Sequence, residues 1–184
     1  MVSLGNKKSV DVAYIDFFRA FDSVVYSKLF IKLASYGFNY ELLAWLKSFL
    51  ADRTQSFSVD GAFSEFVRVL SGVPQGSVLA PLLFILYVND IADLIDPSSS
   101  CKLFADDVKL YSNIDLLNSF NPLTSSLAKL ETWSKIWQLR VNSSKCSILH
   151  LGLHNSDTTY SFNNLPLPAS KSVCDFGVTF NQKL

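Results

Sequence analysis

The chain has 184 residues, room for one domain of ordinary size or slightly more. With 49% hydrophobic and 17% charged residues it can bury a sizeable core, which excludes bulk disorder. Sixteen basic and sixteen acidic side chains cancel, so any contact with nucleic acid has to come from local patches rather than overall charge. Cys101, Cys146 and Cys174 are scattered and odd in number. That fits reduced thiols in a nuclear or cytoplasmic protein better than a disulfide framework or a zinc site. The longest apolar run, Val78 to Val88, is too short to span a bilayer, and Met1 to Lys8 lacks the apolar core of a signal peptide. No membrane partner is expected.

Val10, Val12, Tyr14 and Ile15 form a short β-type run ending on Asp16. A helix is predicted next, with Ser27 as N-cap, Leu29, Phe30 and Leu33 as its apolar face and Gly37 as its stop. A second helix starts near Asn39 and carries Leu42 to Leu50. Phe57 to Val59 and Phe66 to Val69 flank Asp60-Gly61, a hairpin signal with a loop longer than two residues. After the turn-rich Ser71 to Ser77 a long apolar helix is predicted to about Leu94, with Pro81 tolerated in its first turn. Pro97 to Ser100 reads as a loop. Leu103 to Ala105, the tip Asp106-Asp107, and Val108 to Tyr111 read as strand, turn and strand. Leu123, Leu127, Leu130 and Trp137 keep helical spacing. Ile148 to Leu151 and Val173 to Phe180 read as two further strands. Hairpins mixed with helices favour an α+β fold over a doubly wound α/β one.

The sequence holds no nucleophile elbow and no phosphate-binding glycine loop. His150 and His154 are four apart but on a strand and loop, whereas zinc pairs of this spacing belong on a helix face. Asp106-Asp107 is the unusual feature. Adjacent carboxylates at a tip repel each other, and Asn-Gly or Asp-Gly would suit a purely structural turn better. A hard divalent cation would relieve that repulsion, although for the pair taken alone a solvated acidic turn is the preferred reading. Asp16 tips the balance, because it ends a second apolar strand. Two strand-end carboxylate sites side by side would make a two-metal clamp for phosphoryl transfer. Asp22 reads as a turn or cap residue.

Three ordered strings carry a family resemblance: Tyr14-Ile15-Asp16-Phe17-Phe18-Arg19-Ala20-Phe21-Asp22, Ser71-Gly72-Val73-Pro74-Gln75-Gly76-Ser77, and Leu103-Phe104-Ala105-Asp106-Asp107. They resemble motifs A, B and C of a reverse transcriptase of the non-LTR (LINE-type) retrotransposon kind. Asn142 to Cys146 resembles motif D, and Asp175-Phe176-Gly177-Val178 the strand at motif E. The resemblance implies a palm, an antiparallel sheet with helices packed on one face, from residues 1–23 and 71–184, with residues 24–70 as part of the fingers. It implies an RNA-directed DNA polymerase that adds dNTPs to a DNA primer 3′-hydroxyl on an RNA template, with two Mg²⁺ or Mn²⁺ ions.

Residue by residue, the resemblance makes Asp16 and Asp106 the main metal ligands and Asp107 the third carboxylate. Phe21 falls at the steric gate that favours dNTPs, where ordinary core packing is the plain alternative. Phe17, Gln75 and Gly76 fall beside the incoming nucleotide and template. Lys145 resembles the motif D lysine that protonates the leaving pyrophosphate, with a surface lysine as its alternative. Phe176-Gly177 resembles the primer grip, although Phe stands where the family usually has Leu. Phe18 replaces a small polar residue and Ala80 a common Gly. Motif A begins about a dozen residues after Met1, so the upstream fingers and a thumb beyond Leu184 are expected to come from neighbouring sequence. The rival expectation is a catalytically inactive remnant that keeps the palm and binds at most metal or RNA.

Overall fold

The computed structural model describes residues 9–114, 120–152 and 155–182. In chain order it has β1 (Ser9–Ile15), α1 (Tyr26–Ser35), α2 (Tyr40–Leu50), β2 (Thr54–Gln55), β3 (Ser58–Val59), β4 (Ala62–Phe63) and β5 (Val67–Arg68). Then follow α3 (Leu79–Val88), α4 (Ile91–Leu94), β6 (Ser99–Phe104), β7 (Asp107–Ile114) and α5 (Pro122–Trp137). The last elements are β8 (Ser147–Leu151), β9 (Ser161–Phe162), β10 (Leu165–Pro166), β11 (Ala169–Ser170), β12 (Ser172–Asp175) and β13 (Val178–Asn181). Among the described residues no helix is long and apolar enough to cross a membrane.

The chain divides into two compact units, residues 1–18 with 89–184, and residues 19–88. The first is built on a five-stranded sheet in the order β11-β8-β1-β7-β6. β1 is antiparallel to both neighbours, while β11 runs parallel to β8. In β1 the period of two is clear: Asp11, Ala13 and Ile15 are buried, and Val12, Tyr14 and Asp16 are half-exposed on the other face. On the buried side α5 packs against β6, β7 and β9, presenting Leu123, Leu127, Leu130 and Trp133 at helical spacing. Asn121 caps α5, its side chain accepting from the amides of Leu123 and Thr124, and Pro122 fits the first turn. The expected α+β palm architecture is therefore what forms.

The second unit packs α1 against α2 and α3 around Leu29, Leu33, Leu46, Leu83 and Phe84. Asn39 caps α2, accepting from the Leu42 amide at 3.0 Å. Lys32 is only 3% exposed; its ammonium donates to the Tyr87 carbonyl in the last turn of α3, where a cation suits the helix dipole.

Several local expectations are corrected. α1 begins at Tyr26 with Val25 at its N-cap, so Ser27 lies inside the first turn and caps nothing. The apolar helix stops at Val88 and restarts as α4, because Asn89-Asp90 makes a turn and Asp90 instead accepts the Trp133 indole N–H at 3.0 Å. Asp60-Gly61 is a two-residue loop joining β3 to β4, with φ of 49° and 82° as a type I′ turn requires. β5 pairs with β2 rather than across that loop. Ser99 and Ser100 are already in β6, and Val173 to Phe180 is a hairpin, β12–β13, not one strand. Its turn, Phe176-Gly177, has φ of 48° and 79°. His154 lies outside the described residues.

One buried polar network anchors β1. The carboxylate of Asp11, 0% exposed, accepts from His150 Nδ1 at 2.7 Å, Asn155 Nδ2 at 2.7 Å and the Tyr160 hydroxyl at 2.6 Å. Asn121 Nδ2 in turn donates to the Tyr160 oxygen at 2.8 Å, linking the network to the cap of α5. Burial, with the Asp11 carboxylate beside it, holds the Tyr160 phenol well above its ordinary range, so it stays a donor. Removing Asp11 takes the acceptor from His150 and Tyr160 and leaves Asn155 only its longer bonds to backbone carbonyls. Asp11→Ala is expected to cost ~3–5 kcal/mol in urea unfolding, against about 1–2 kcal/mol for Tyr160→Phe.

Candidate active site

The register of β1 and β7 pairs Ile15 with Val108, which brings the C-terminal end of β1 against the start of β7. Asp16 and Asp107 thus meet on the half-open face of the sheet, and both line a cavity of about 200 Å³. Lys145, exposed at the end of the turn before β8, lines the same cavity. The β6–β7 turn falls on Ala105-Asp106, one residue earlier than the expected tip. Asp107 is therefore a strand residue opposite Phe104, and Asp106 sits in the turn beside the cavity rather than in its lining. Ala105 takes φ of 50° there, a conformation disfavoured for a residue with a Cβ.

The carboxylates disturb one another. Burial pushes the Asp107 carboxyl up, and the Asp106, Asp175 and Asp16 charges push it further, with the Lys109 ammonium acting against them. Among the described residues no three His, Cys, Asp or Glu side chains converge closely enough to hold an ion by themselves.

The backbone of Asp16 is clamped from one segment. Its N–H donates to Cys146 Sγ at 3.4 Å, and its carbonyl accepts from the Asn142 amide at 2.8 Å. Phe17 bridges to Val141, and the Phe18 amide donates to the Arg140 carbonyl at 2.8 Å. Burial pushes the Cys146 thiol up to about 11, so it stays protonated and serves as a packing and hydrogen-bonding group. The Phe17 ring is 4% exposed and packs against Trp133, with centroids 6.1 Å apart. Its side chain belongs to the core, and only its backbone remains for contact with a substrate.

Two cavity residues carry charges whose roles sequence reasoning missed. Lys109 Nζ lies 2.5 and 2.6 Å from the two carboxylate oxygens of Asp175, and 4.1 Å from the centroid of the Phe176 ring. Lys109 follows Asp107 by two positions on a strand, so period-two alternation puts it on the same face; that was the available signal. Its partner sits 66 residues later, beyond any local pattern.

In the second unit the other singled-out residues come together around Asp22. Gln75 Nε2 donates to Asp22 Oδ1 at 2.9 Å, and Ser71 Oγ donates to the Asp22 carbonyl at 2.8 Å. The amides of Gly72 and Val73 donate to the carbonyls of Val24 and Phe21. A Cβ at position 72 would sit 2.7 Å from Asp22 Cα, so this approach requires glycine. Gly76 has φ of 84° and nothing within 4 Å of a Cβ position, which leaves its backbone open. The half-exposed Phe21 ring stacks on Phe84 at 4.4 Å and 18°.

Comparison with known proteins agrees with this arrangement. Residues 4–179 match the family described as reverse transcriptase (RNA-dependent DNA polymerase). The chain is 29% identical over 99% of its length to the RNA-directed DNA polymerase from mobile element jockey of Drosophila melanogaster, spanning 21% of that protein. It is 33% identical over 76% of its length to the probable RNA-directed DNA polymerase from transposon BS of the same species, spanning 16% of it. The chain thus spans about a fifth of the length of these relatives. An apo telomerase structure from Candida tropicalis, truncated from its C-terminal domain, shares the fold with a TM-score of 0.58 at 17% identity, over 86% of this chain and 34% of that one. The antiparallel sheet with its strand-end aspartates is, on these grounds, a palm, and the chain belongs to the reverse transcriptase family of the non-LTR retrotransposons.

Proposed function

We propose that this chain carries the catalytic core of an RNA-directed DNA polymerase that joins dNTPs to the 3′-hydroxyl of a DNA primer on an RNA template. The observation that carries the reading is the pairing of β1 with β7, which sets Asp16 and Asp107 on one cavity with Asp106 in the adjoining turn. In domain terms, residues 24–70 are assigned to the fingers and residues 1–23 and 71–184 to the palm.

Reverse transcriptases work with divalent metal ions, and the donor set here suits a hard cation. It offers only carboxylate oxygens, and their mutual repulsion is what such an ion relieves. Because the carboxylates do not close a three-ligand cage, the remaining positions suit substrate phosphates and water, as is usual for Mg²⁺. Asp16, Asp106 and Asp107 would hold two Mg²⁺ or Mn²⁺ ions. Held by these carboxylates, such ions would supply Lewis acidity to the primer hydroxyl and charge neutralisation to the leaving phosphates.

The chain's own residues do the rest. The clamp from Arg140 to Cys146 fixes where the Asp16 carboxylate points. Lys145, exposed in the cavity lining, is the proposed donor of a proton to the departing pyrophosphate. The Phe21 ring, stiffened by stacking on Phe84, bars a 2′-hydroxyl and selects dNTPs. Gln75, held by Asp22, and Gly76, with its open backbone, are assigned by the motif resemblance to contact with nucleotide and template strand. The inactive-remnant reading is not favoured, since all three motif carboxylates are present, Asp16 and Asp107 at strand ends and Asp106 in the turn between β6 and β7.

Primer extension on an RNA template with Mg²⁺ or Mn²⁺ tests this. Asp106→Asn is expected to lower the rate by about 100-fold or more with the fold intact; equal activity in both proteins would contradict the reading. A second outcome follows from electrostatics. The Asp107 carboxyl is raised from the ordinary 3.8, so its contribution to stability is fully present below that value and lost as pH rises through the folded value. Without metal at neutral pH, Asp107→Asn should therefore be more stable than wild type by ~1–2 °C in Tm, a gain kept small by solvent screening. That difference should shrink as pH falls through the folded value, vanish well below pH 3.8, and also shrink on adding Mn²⁺, as differential scanning calorimetry would record.

A further inference from the structure

We propose that the Lys109–Asp175 ion pair, with Phe176 stacked beneath the ammonium, fastens the tip of the β12–β13 hairpin beside the carboxylate cavity and so holds that cavity in its working shape. The proposal rests on the polymerase reading and assigns Lys109 and Asp175 as positioning residues.

The hairpin needs such a fastening. β12 and β13 form their own two-stranded sheet, and among the described residues no backbone ladder joins them to the five-stranded sheet. An isolated two-stranded hairpin is marginal in water. Here its turn buries little apolar surface, with Phe176 62% and Val178 56% exposed. The base is held because β12 directly follows β11, which pairs with β8. The tip is held by side chains. Lys109 grips both oxygens of Asp175, the last residue before the turn, while Phe176 meets Phe104 edge-on at 4.7 Å. Phe104 and Lys109 belong to the β6–β7 hairpin that carries Asp107, so the two hairpins are joined tip to tip.

The pair is also placed where it matters. Its side chains are only 16% and 17% exposed, so breaking it strands a half-buried charge instead of releasing an exposed one. Cys174, Asp175 and Phe176 line the same cavity as Asp16 and Asp107, so the hairpin supplies part of its wall. Displacing that wall by about 1 Å is enough to cost a reaction that depends on alignment about 100-fold.

A purely electrostatic role would look different. Lys109→Met removes a positive charge from the carboxylate cluster and Asp175→Asn removes a negative one, so field effects on the cavity would have opposite signs. A fastening predicts losses in the same direction for both, and a double variant no worse than either single one.

The test combines hydrogen exchange and steady-state primer extension on the full chain. In Lys109→Met and in Asp175→Asn the amides of β12 and β13 should lose protection while those of β1 and β7 keep theirs. kcat should fall about 10–100-fold with the dNTP KM changed less than about threefold, and Lys109→Arg should restore both readouts. Opposite effects of the two variants on kcat, additive losses in the double variant, or unchanged hairpin protection would overturn the proposal. If the wild-type chain extends no primer, the polymerase reading fails by itself, and hairpin protection alone then decides whether the fastening exists.

Discussion

The antiparallel pairing of β1 with β7 is the constraint on which the rest of this structure depends. It forces two carboxylates, 91 positions apart in sequence, to the same end of the same sheet face. Like charges brought together and partly desolvated oppose folding, and the raised Asp107 carboxyl is the local sign of that opposition. The arrangement persists because the opposite face of the sheet is mostly apolar, its buried Asp11 being fully hydrogen-bonded, and α5 packs on it. The register cannot slip by one residue without turning Ala13, Ile15, Val108 and Leu110 out of the core. Hydrophobic alternation thus fixes a charged constellation that would not assemble on its own account.

The strand that bears Asp16 is over-determined along its length. Near its start Asp11 collects three hydrogen bonds from His150, Asn155 and Tyr160 in a fully buried setting. At its end Asn142 and Cys146 hold the Asp16 backbone from both sides. Both contacts come from the segment around β8, so the strand next to β1 anchors it at two points. Rigid support of this kind is what a site needs when its carboxylates must keep their direction despite mutual repulsion. In residues 19–88 the same principle acts through backbone approach. The Gly72 contact with Asp22 exists only because no Cβ intervenes, and it carries Gln75 into reach of the Asp22 carboxylate.

Much of this was legible in the sequence, and the gaps have physical causes. The period of two in β1 and the helical spacing in α5 were readable because each buries one face against a single core. The three motif strings identified the family because their residue types are dictated by chemistry in place. The tip of the β6–β7 hairpin was misplaced by one residue: a pair of aspartates looks like a turn, yet pairing of Phe104 with Asp107 extends the ladder and leaves the strained φ to Ala105. The hairpin at Phe176-Gly177 was read as one strand because a bulky aromatic at φ of 48° is a poor turn residue; its contacts to Lys109 and Phe104 supply the compensation. Lys109 itself was invisible as a functional group, since its partner is fixed only by tertiary structure.

The central claim is that Asp16 and Asp107 act on one cation site created by strand pairing. Mn²⁺ binding followed by electron paramagnetic resonance, on wild type beside Asp16→Asn and Asp107→Asn, tests it most directly. The account predicts saturable binding in wild type, strong weakening in each variant, and no further loss when the two are combined. Unchanged Mn²⁺ binding in Asp16→Asn, or independent additive losses from the two substitutions, would contradict it.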